Sequence, residues 1–302
     1  MSGNQTVLVV GATGYVGGQM VGELLARDKP VRALVRPATD AGHLESSGVE
    51  VVRGDMLDPA SLEAAMTGVD AVVTTAAGYT RGLPEADEID TVGQANLGTA
   101  AARAGVRRFV LTSILTCDQT PQVPHFWHKK LAEDHLAAMG VPFVALRPGA
   151  FLDNFTRYGS DPFTTGRLVP TGAPGSVMTF VLTADLARYL AEAVDAPGVD
   201  GERIDVGWTR PVSVTEIAAI ASRLLDRPIA VGAADFPVGA GTTGEERQAR
   251  TMSADMRAMA EWFDTGRYVA DPTRQGQVFG PVPTPEDAIA RFLVGLGHQV
   301  RV

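Results

Sequence analysis

Six short β-branched runs alternate with stretches of helical spacing over the first 150 residues, and this alternation restricts the fold more than any other feature. The runs are Thr6–Val10, Val31–Val35, Val49–Val52, Ala71–Thr75, Phe109–Thr112 and Phe143–Leu146. Runs that stay apolar, instead of alternating with polar residues, mark strands covered on both faces. Between them, Gly17, Met20, Val21, Leu24 and Leu25 keep helical spacing. Asp58-Pro59 reads as an N-cap with proline at the first helical position, ahead of Leu62, Ala65 and Met66. Strands and helices in this order predict an α/β fold built on a doubly wound parallel sheet.

The texture changes after Pro148. Glycine and proline punctuate Gly159–Gly175, helical patterns occupy Ala184–Val194 and Val214–Leu225, and Gly239–Gly244 reads as a flexible glycine-rich loop. Ile204–Val206 is a strand able to return to the sheet. The expected organisation is a first domain over 1–155 and a smaller C-terminal substrate lobe over 156–302, with elements of the lobe rejoining the sheet.

Gly11-Ala12-Thr13-Gly14-Tyr15-Val16-Gly17 joins the first strand to the first helix. Gly11 permits the tight turn, Gly14 lets backbone approach a pyrophosphate, and Gly17 lets the helix lie close to the sheet. The helix N-terminus offers N–H groups and partial positive charge. The spacing is G-x-x-G-x-x-G, and its placement between strand and helix makes it a dinucleotide signature of the Rossmann kind. The second strand ends Leu34-Val35-Arg36-Pro37 without the acid that would accept a ribose 2′-hydroxyl. Arg36 suits a 2′-phosphate, so NADP(H) is expected over NAD(H). Asp55, beside Met56 at the end of the third strand, admits two readings, an acceptor for the adenine amino group or a turn-capping carboxylate. Small residues at Thr75, Ala76 and Ala77 suit backbone lying against a ribose.

Charge and composition exclude several alternatives. The 302 residues carry a net charge of −9, with 45% hydrophobic and 20% charged residues, as in ordinary globular proteins. No basic patch invites nucleic acid or an anionic membrane, and no apolar stretch approaches the roughly 20 residues of a membrane span. The lone Cys117 rules out an intrachain disulfide and a Cys-rich zinc site. The start of the chain shows neither a basic region nor a cleavage site. A cytoplasmic protein, monomeric or homodimeric, acting on a small molecule is expected.

Gly11–Gly17, Val31–Arg36, Val49–Asp58 and Gly140–Asn154 resemble the NmrA-like atypical short-chain dehydrogenases/reductases, a likeness covering about residues 5–225. The resemblance implies a Rossmann domain holding NADP(H) and a C-terminal lobe forming a substrate cleft. It also implies a divided set of activities. Some members reduce quinones, triphenylmethane dyes or phenylpropanoids, and others sense NADP(H) and regulate protein partners.

Short-chain dehydrogenases typically use Tyr-x-x-x-Lys. The corresponding stretch is His125-Phe126-Trp127-His128-Lys129, with histidine in place of tyrosine. Pro124 suits the first position of this helix. The stripe Ala132, Leu136 and Met139 marks its buried face, and stepping back one turn at a time reaches Lys129 and His125. Lys129 either reaches the cofactor ribose or substrate carbonyl, or pairs with Glu133 four residues on. His125 either donates a proton to a developing alkoxide or lines the pocket entrance. His128 and His135 read as packing or surface residues, without the further ligands a zinc site needs.

Ser113 resembles the serine that assists substrate or nicotinamide, or caps the next loop. The resemblance places nicotinamide contacts near Pro148 and Phe151 and lines the cleft with Asn154. Trp127, Phe155, Tyr158 and Phe163 would complete an apolar, aromatic pocket. An NADPH-dependent reductase is the first expectation and a non-catalytic NADP(H) sensor the second. An epimerase or dehydratase comes last, because the tyrosine such enzymes use is missing.

Overall fold

A computed structural model describes residues 5–79, 86–157, 161–232 and 244–301. The chain divides into two compact units, one of residues 1–147 with 184–204, the other of 148–183 with 205–302. The expected boundary at residue 155 falls inside the second unit. Tyr158 and residues 239–243 of the expected glycine-rich loop lie outside the described residues.

The first unit runs β1 (Val7–Val10), α1 (Tyr15–Leu25), β2 (Val31–Val35), α2 (Gly42–Ser46), β3 (Glu50–Arg53), α3 (Pro59–Ala65) and β4 (Ala71–Thr74). It continues with α4 (Ala86–Glu88), a π-helical turn (Ile89–Gly93), α5 (Gln94–Ala104), β5 (Arg108–Thr112), a 3-10 turn (Cys117–Gln119), α6 (Pro124–Ala138) and β6 (Phe143–Pro148). Next come β7 (Ala150–Phe151), α7 (Asn154–Arg157), α8 (Pro162–Thr165), β8 (Arg167–Leu168), β9 (Phe180–Val181), α9 (Thr183–Ala193) and β10 (Glu202–Val206). The chain ends with α10 (Val214–Leu225), β11 (Ala230–Val231), α11 (Gly244–Asp264), α12 (Thr273–Phe279) and α13 (Pro285–Gly295).

The central sheet has seven strands in the order β3-β2-β1-β4-β5-β6-β10. The pairs from β3 through β6 are parallel, with Val7 opposite Val31 on one side and Ala71 on the other. Chain order reverses between β1 and β4. In an open α/β sheet, ligands bind beyond the carboxyl ends of the strands at such a reversal. The doubly wound α/β sheet expected from the sequence is thus the observed one. β1 and β4 are buried throughout, which explains their unbroken apolar sequences. Leu8, Leu62, Val72, Phe109 and Leu136 meet in one core beneath helices α3, α5 and α6.

Local signals did what elementary chemistry requires of them. The Asp58 carboxylate accepts the Ala60 N–H at 3.1 Å and caps α3. Pro124 opens α6, where a missing N–H costs no hydrogen bond. The stretch 184–204 is tied to the first unit by arginines. Arg108 donates to the carbonyls of Ala193 and Ala196, Arg107 to that of Val194, and Arg27 pairs with Glu192.

Within the second unit, β7 pairs with β9 and β8 with β11, and α10 packs on α13. An aromatic column runs through it. Phe155 lies 6.4 Å from Phe180, which lies 5.7 Å from the buried Trp208, both pairs near parallel.

Candidate active site

Gly11 follows β1 with φ +93°, and a Cβ there would stand 2.7 Å from Thr75 Oγ1 and 2.9 Å from the Ala76 nitrogen. A Cβ on Gly17 would stand 2.0 Å from the Gly11 carbonyl oxygen. Both positions therefore admit glycine alone without a backbone shift. Gly14 is the N-cap of α1 and brings no capping side chain, so the first-turn N–H groups have no side-chain competitor. Thr13 and Val16 are half-buried and Tyr15 is exposed. The turn is built of backbone, at a helix N-terminus of the kind that suits phosphate oxygens.

Arg36 follows β2 and is exposed, and among the described residues its guanidinium meets no acid. Its own carbonyl accepts from Arg53 Nη1 at 3.2 Å, and the same nitrogen reaches the Thr39 carbonyl at 2.6 Å. Arg53, which the sequence reading passed over, braces the loop that carries Arg36. It sits opposite Val35 in the β2–β3 register. Asp55 Oδ1 accepts the Leu57 N–H at 2.8 Å, the turn-capping alternative. Met56 is buried, and its carbonyl accepts from Asn96.

The loop after β4 is the best-braced part of the site. Thr75 Oγ1 donates to the Gly11 carbonyl at 3.4 Å. The Ala76 carbonyl accepts from Lys129 Nζ and from Gln94 Nε2, each at 3.1 Å. Asp90 accepts the Gly78 N–H at 2.7 Å and the Tyr79 N–H at 3.1 Å. Ala77 lies between these anchors. Lys129 is buried, and that burial pushes its ammonium below the ordinary lysine range, against the attraction of Asp90. The Tyr79 ring lies parallel to His125 at 3.9 Å, and Phe126 meets His125 edge-on.

One alternative falls away in this region and three expectations need correction. Lys129 does not pair with Glu133. Glu133 is almost fully buried and accepts from Arg147 Nε at 2.9 Å, Arg147 Nη2 at 2.6 Å, Arg203 Nε at 2.8 Å and Ser113 Oγ at 2.6 Å. Ser113 is consequently buried with its proton committed to a carboxylate, and it has none to give a substrate. Met139 is exposed, because α6 ends there and the chain turns away. Phe163 is fully buried against Phe292 and belongs to a core.

The remaining residues are placed as follows. Cys117 is buried beside Glu133, and burial with that negative neighbour pushes its thiol up to about 12. Burial works against the Arg147 charge, but the hydrogen bonds and attraction of Glu133 outweigh it and hold the guanidinium firmly protonated. Trp127 is half-buried on α6 with Lys130 Nζ 5.7 Å from its ring centre. His135 is hydrogen-bonded to Thr99, and His128 is half-buried. Pro148, Phe151, Asn154 and Phe155 belong to the second unit, where Pro148 is buried, Phe151 and Phe155 are half-buried and Asn154 is exposed. Among the described residues, no three His, Cys, Asp or Glu side chains are grouped to hold a metal ion. None of the described helices is long and apolar enough to cross a membrane.

A parallel sheet that reverses its chain order beside a glycine-built turn defines a protein of the doubly wound α/β class. The chain belongs to the NmrA-like family, whose model matches residues 3–276. It is similar to the NAD(P)H azoreductase of Xenophilus azovorans, 28% identical over 278 residues, 92% of this chain and 91% of that protein. It is also similar to the photosystem II assembly factor Ycf39 of a Synechocystis strain, 28% identical over 218 residues, 72% of this chain and 67% of that protein. Among solved structures it shares the fold of the triphenylmethane reductase of Citrobacter sp. complexed with NADP(H). The TM-score is 0.74, with 23% identity, 95% of this chain and 99% of that chain covered.

Proposed function

We propose that the protein is an NADPH-dependent reductase acting on a small, largely apolar quinone, carbonyl or conjugated compound. The observation that carries this reading is the buried Lys129, whose ammonium is bound to the loop that also closes over Gly11. It is an oxidoreductase of the atypical short-chain dehydrogenase/reductase kind, like its azoreductase relative. The turn fits a dinucleotide, since Gly11 and Gly17 let the loop after β4 and the start of α1 close on the end of β1, and Gly14 caps α1 without a side chain. When bound, NADPH supplies a hydride to an electrophilic carbon or nitrogen.

The chain's own groups do the rest. The N–H groups of Tyr15 and Val16 would hold the pyrophosphate, that of Gly14 being given to the Gly11 carbonyl at 2.9 Å, and the Arg36 fork would hold the 2′-phosphate. Asp55 and Met56 would hold the adenine, Asp55 through the carboxylate oxygen that does not accept from Leu57. Thr75, Ala76 and Ala77 give backbone to the ribose side. Lys129 holds ribose hydroxyls and polarises the reacting oxygen. His125, fixed face-on by Tyr79, gives the proton that balances the reduction. Trp127 adds apolar surface on α6. For the second unit, the family likeness assigns nicotinamide contacts to Pro148 and Phe151 and substrate contacts to Asn154 and Phe155.

A second reading has its own support, the likeness to the assembly factor Ycf39 and histidine in place of the usual tyrosine. In it the chain binds NADP(H) and a protein partner without turnover. Following NADPH oxidation at saturating quinone, azo dye and aryl carbonyl separates the two. Steady turnover with any of them supports the reductase, and cofactor binding with no turnover on the whole set supports the sensor. Failure to bind either NADPH or NADH would sink both.

A further inference from the structure

Asp90 lies in the π-helical turn Ile89–Gly93 and is almost fully buried. A single turn of π-helix inside an α-helical run is uncommon and often marks a functional position. Both carboxylate oxygens are engaged, one by the Gly78 N–H and the other by the Tyr79 N–H. One turn further on, the buried Gln94 joins Lys129 on the Ala76 carbonyl. The turn itself is pressed close, since a Cβ on Gly93 would stand 3.1 Å from Met56 Cβ. Residues 76 to 79 are thus held at both ends by side chains of one helical face.

Lys129 is a buried lysine whose hydrogen bond, among the described residues, goes to a neutral carbonyl. Burying an ammonium without a compensating charge is costly, and such a lysine gives up its proton instead. The groups facing it are few. Glu133, one turn along α6, is engaged by Arg147 and Arg203. Cys117, after β5, has its thiol pushed up to about 12 and carries no charge near neutral pH. His125, one turn back on α6, is stacked under Tyr79. Asp90 remains, and it is the foremost attraction acting on the ammonium.

We propose that Asp90 is a positioning residue that keeps Lys129 charged and, through the 76–79 loop, fixes Tyr79 over His125. One buried carboxylate then governs both groups assigned to the chemistry. The link to catalysis rests on the reductase reading, but the electrostatic part is measurable without cofactor or substrate.

The chain has three lysines, Lys29, Lys129 and Lys130, so protein carrying 13C-labelled lysine gives three resolvable Cε titrations. Loss of one signal in Lys129→Met assigns it. In Asp90→Asn, the Lys129 midpoint is expected to fall by about one pH unit or more, a tenfold loss of proton affinity, with Lys29 and Lys130 unmoved. An unchanged Lys129 midpoint, or equal movement of all three, overturns the proposal. Should the variant fail to fold, the wild type still decides, because the Asp90 13Cγ shift must step at the Lys129 midpoint and a flat trace refutes the coupling. If the protein turns over NADPH, the alkaline limb of its activity profile moves down by the same amount in Asp90→Asn. A protein that shows the titration shift and no turnover retains the Asp90 coupling and loses the reductase reading.

Discussion

Replacing Gly17 with alanine tests the geometry of the glycine turn directly. The new Cβ would stand 2.0 Å from the Gly11 carbonyl oxygen, 2.7 Å from the Gly11 carbonyl carbon and 2.9 Å from Thr75 Oγ1. Ordinary contacts begin near 3.5 Å, so the helix start and the turn must separate by more than about 1 Å. Two of the three obstacles are backbone, which cannot rotate away. Forced overpacking costs about 1–3 kcal/mol and sometimes more, offset by at most about 1 kcal/mol of improved helix propensity. The same change at Gly22 in the same helix meets nothing within 4 Å. There only the propensity gain remains, about 0.5–1 kcal/mol. Two identical substitutions in α1 should therefore move stability in opposite directions. Urea or thermal unfolding reads both, with Gly17→Ala melting several degrees below wild type and Gly22→Ala at or above it. NADPH titration should show Gly17→Ala binding at least tenfold more weakly. An alanine at 17 that leaves melting and cofactor affinity untouched would refute the close approach of α1 to the turn.

Arg36→Ala should weaken NADPH by roughly 10- to 100-fold, the worth of a charge-assisted hydrogen bond, and leave NADH nearly unaffected. Equal losses by fluorescence titration would contradict the assignment to the 2′-phosphate. Glu133→Gln leaves Arg147 and Arg203 without their buried carboxylate and should cost about 3–5 kcal/mol in chemical unfolding. A loss below about 1 kcal/mol would mean the pair is not desolvated as described. The Cys117 thiol, pushed up to about 12, stays protonated as pH rises through the neutral range. It should resist iodoacetamide at pH 8 in the native protein and react readily once unfolded, since the thiolate is the nucleophile. Native labelling at the rate of a free cysteine would refute its burial.

Much of the first unit was legible because its signals are local. β2 was expected over Val31–Val35 and is found there, and β6 extends its expected run only from Leu146 to Pro148. A strand buried on both faces needs apolar residues at every position, and a helix start announces itself in Asp58-Pro59. Asp90 and Gln94, four residues apart on one helical face, carried a readable signal that the sequence analysis passed over. Their meaning depended on the loop they hold, which is reached only through the fold.

The sequence by itself determined the doubly wound sheet, the glycine turn and the helix that carries His125 and Lys129. Each of these follows from interactions between residues a few positions apart. The partners of the charged residues were decided by the tertiary structure. Spacing offered Glu133 to Lys129, yet Glu133 went to Arg147, 14 residues on, and to Arg203, 70 residues on. Lys129 was left to the loop after β4 and to Asp90. The reason is physical. A buried carboxylate takes the partners that satisfy most of its lone pairs in one place, and two arginine forks brought together by β6 and β10 do that better than one lysine on the same helix.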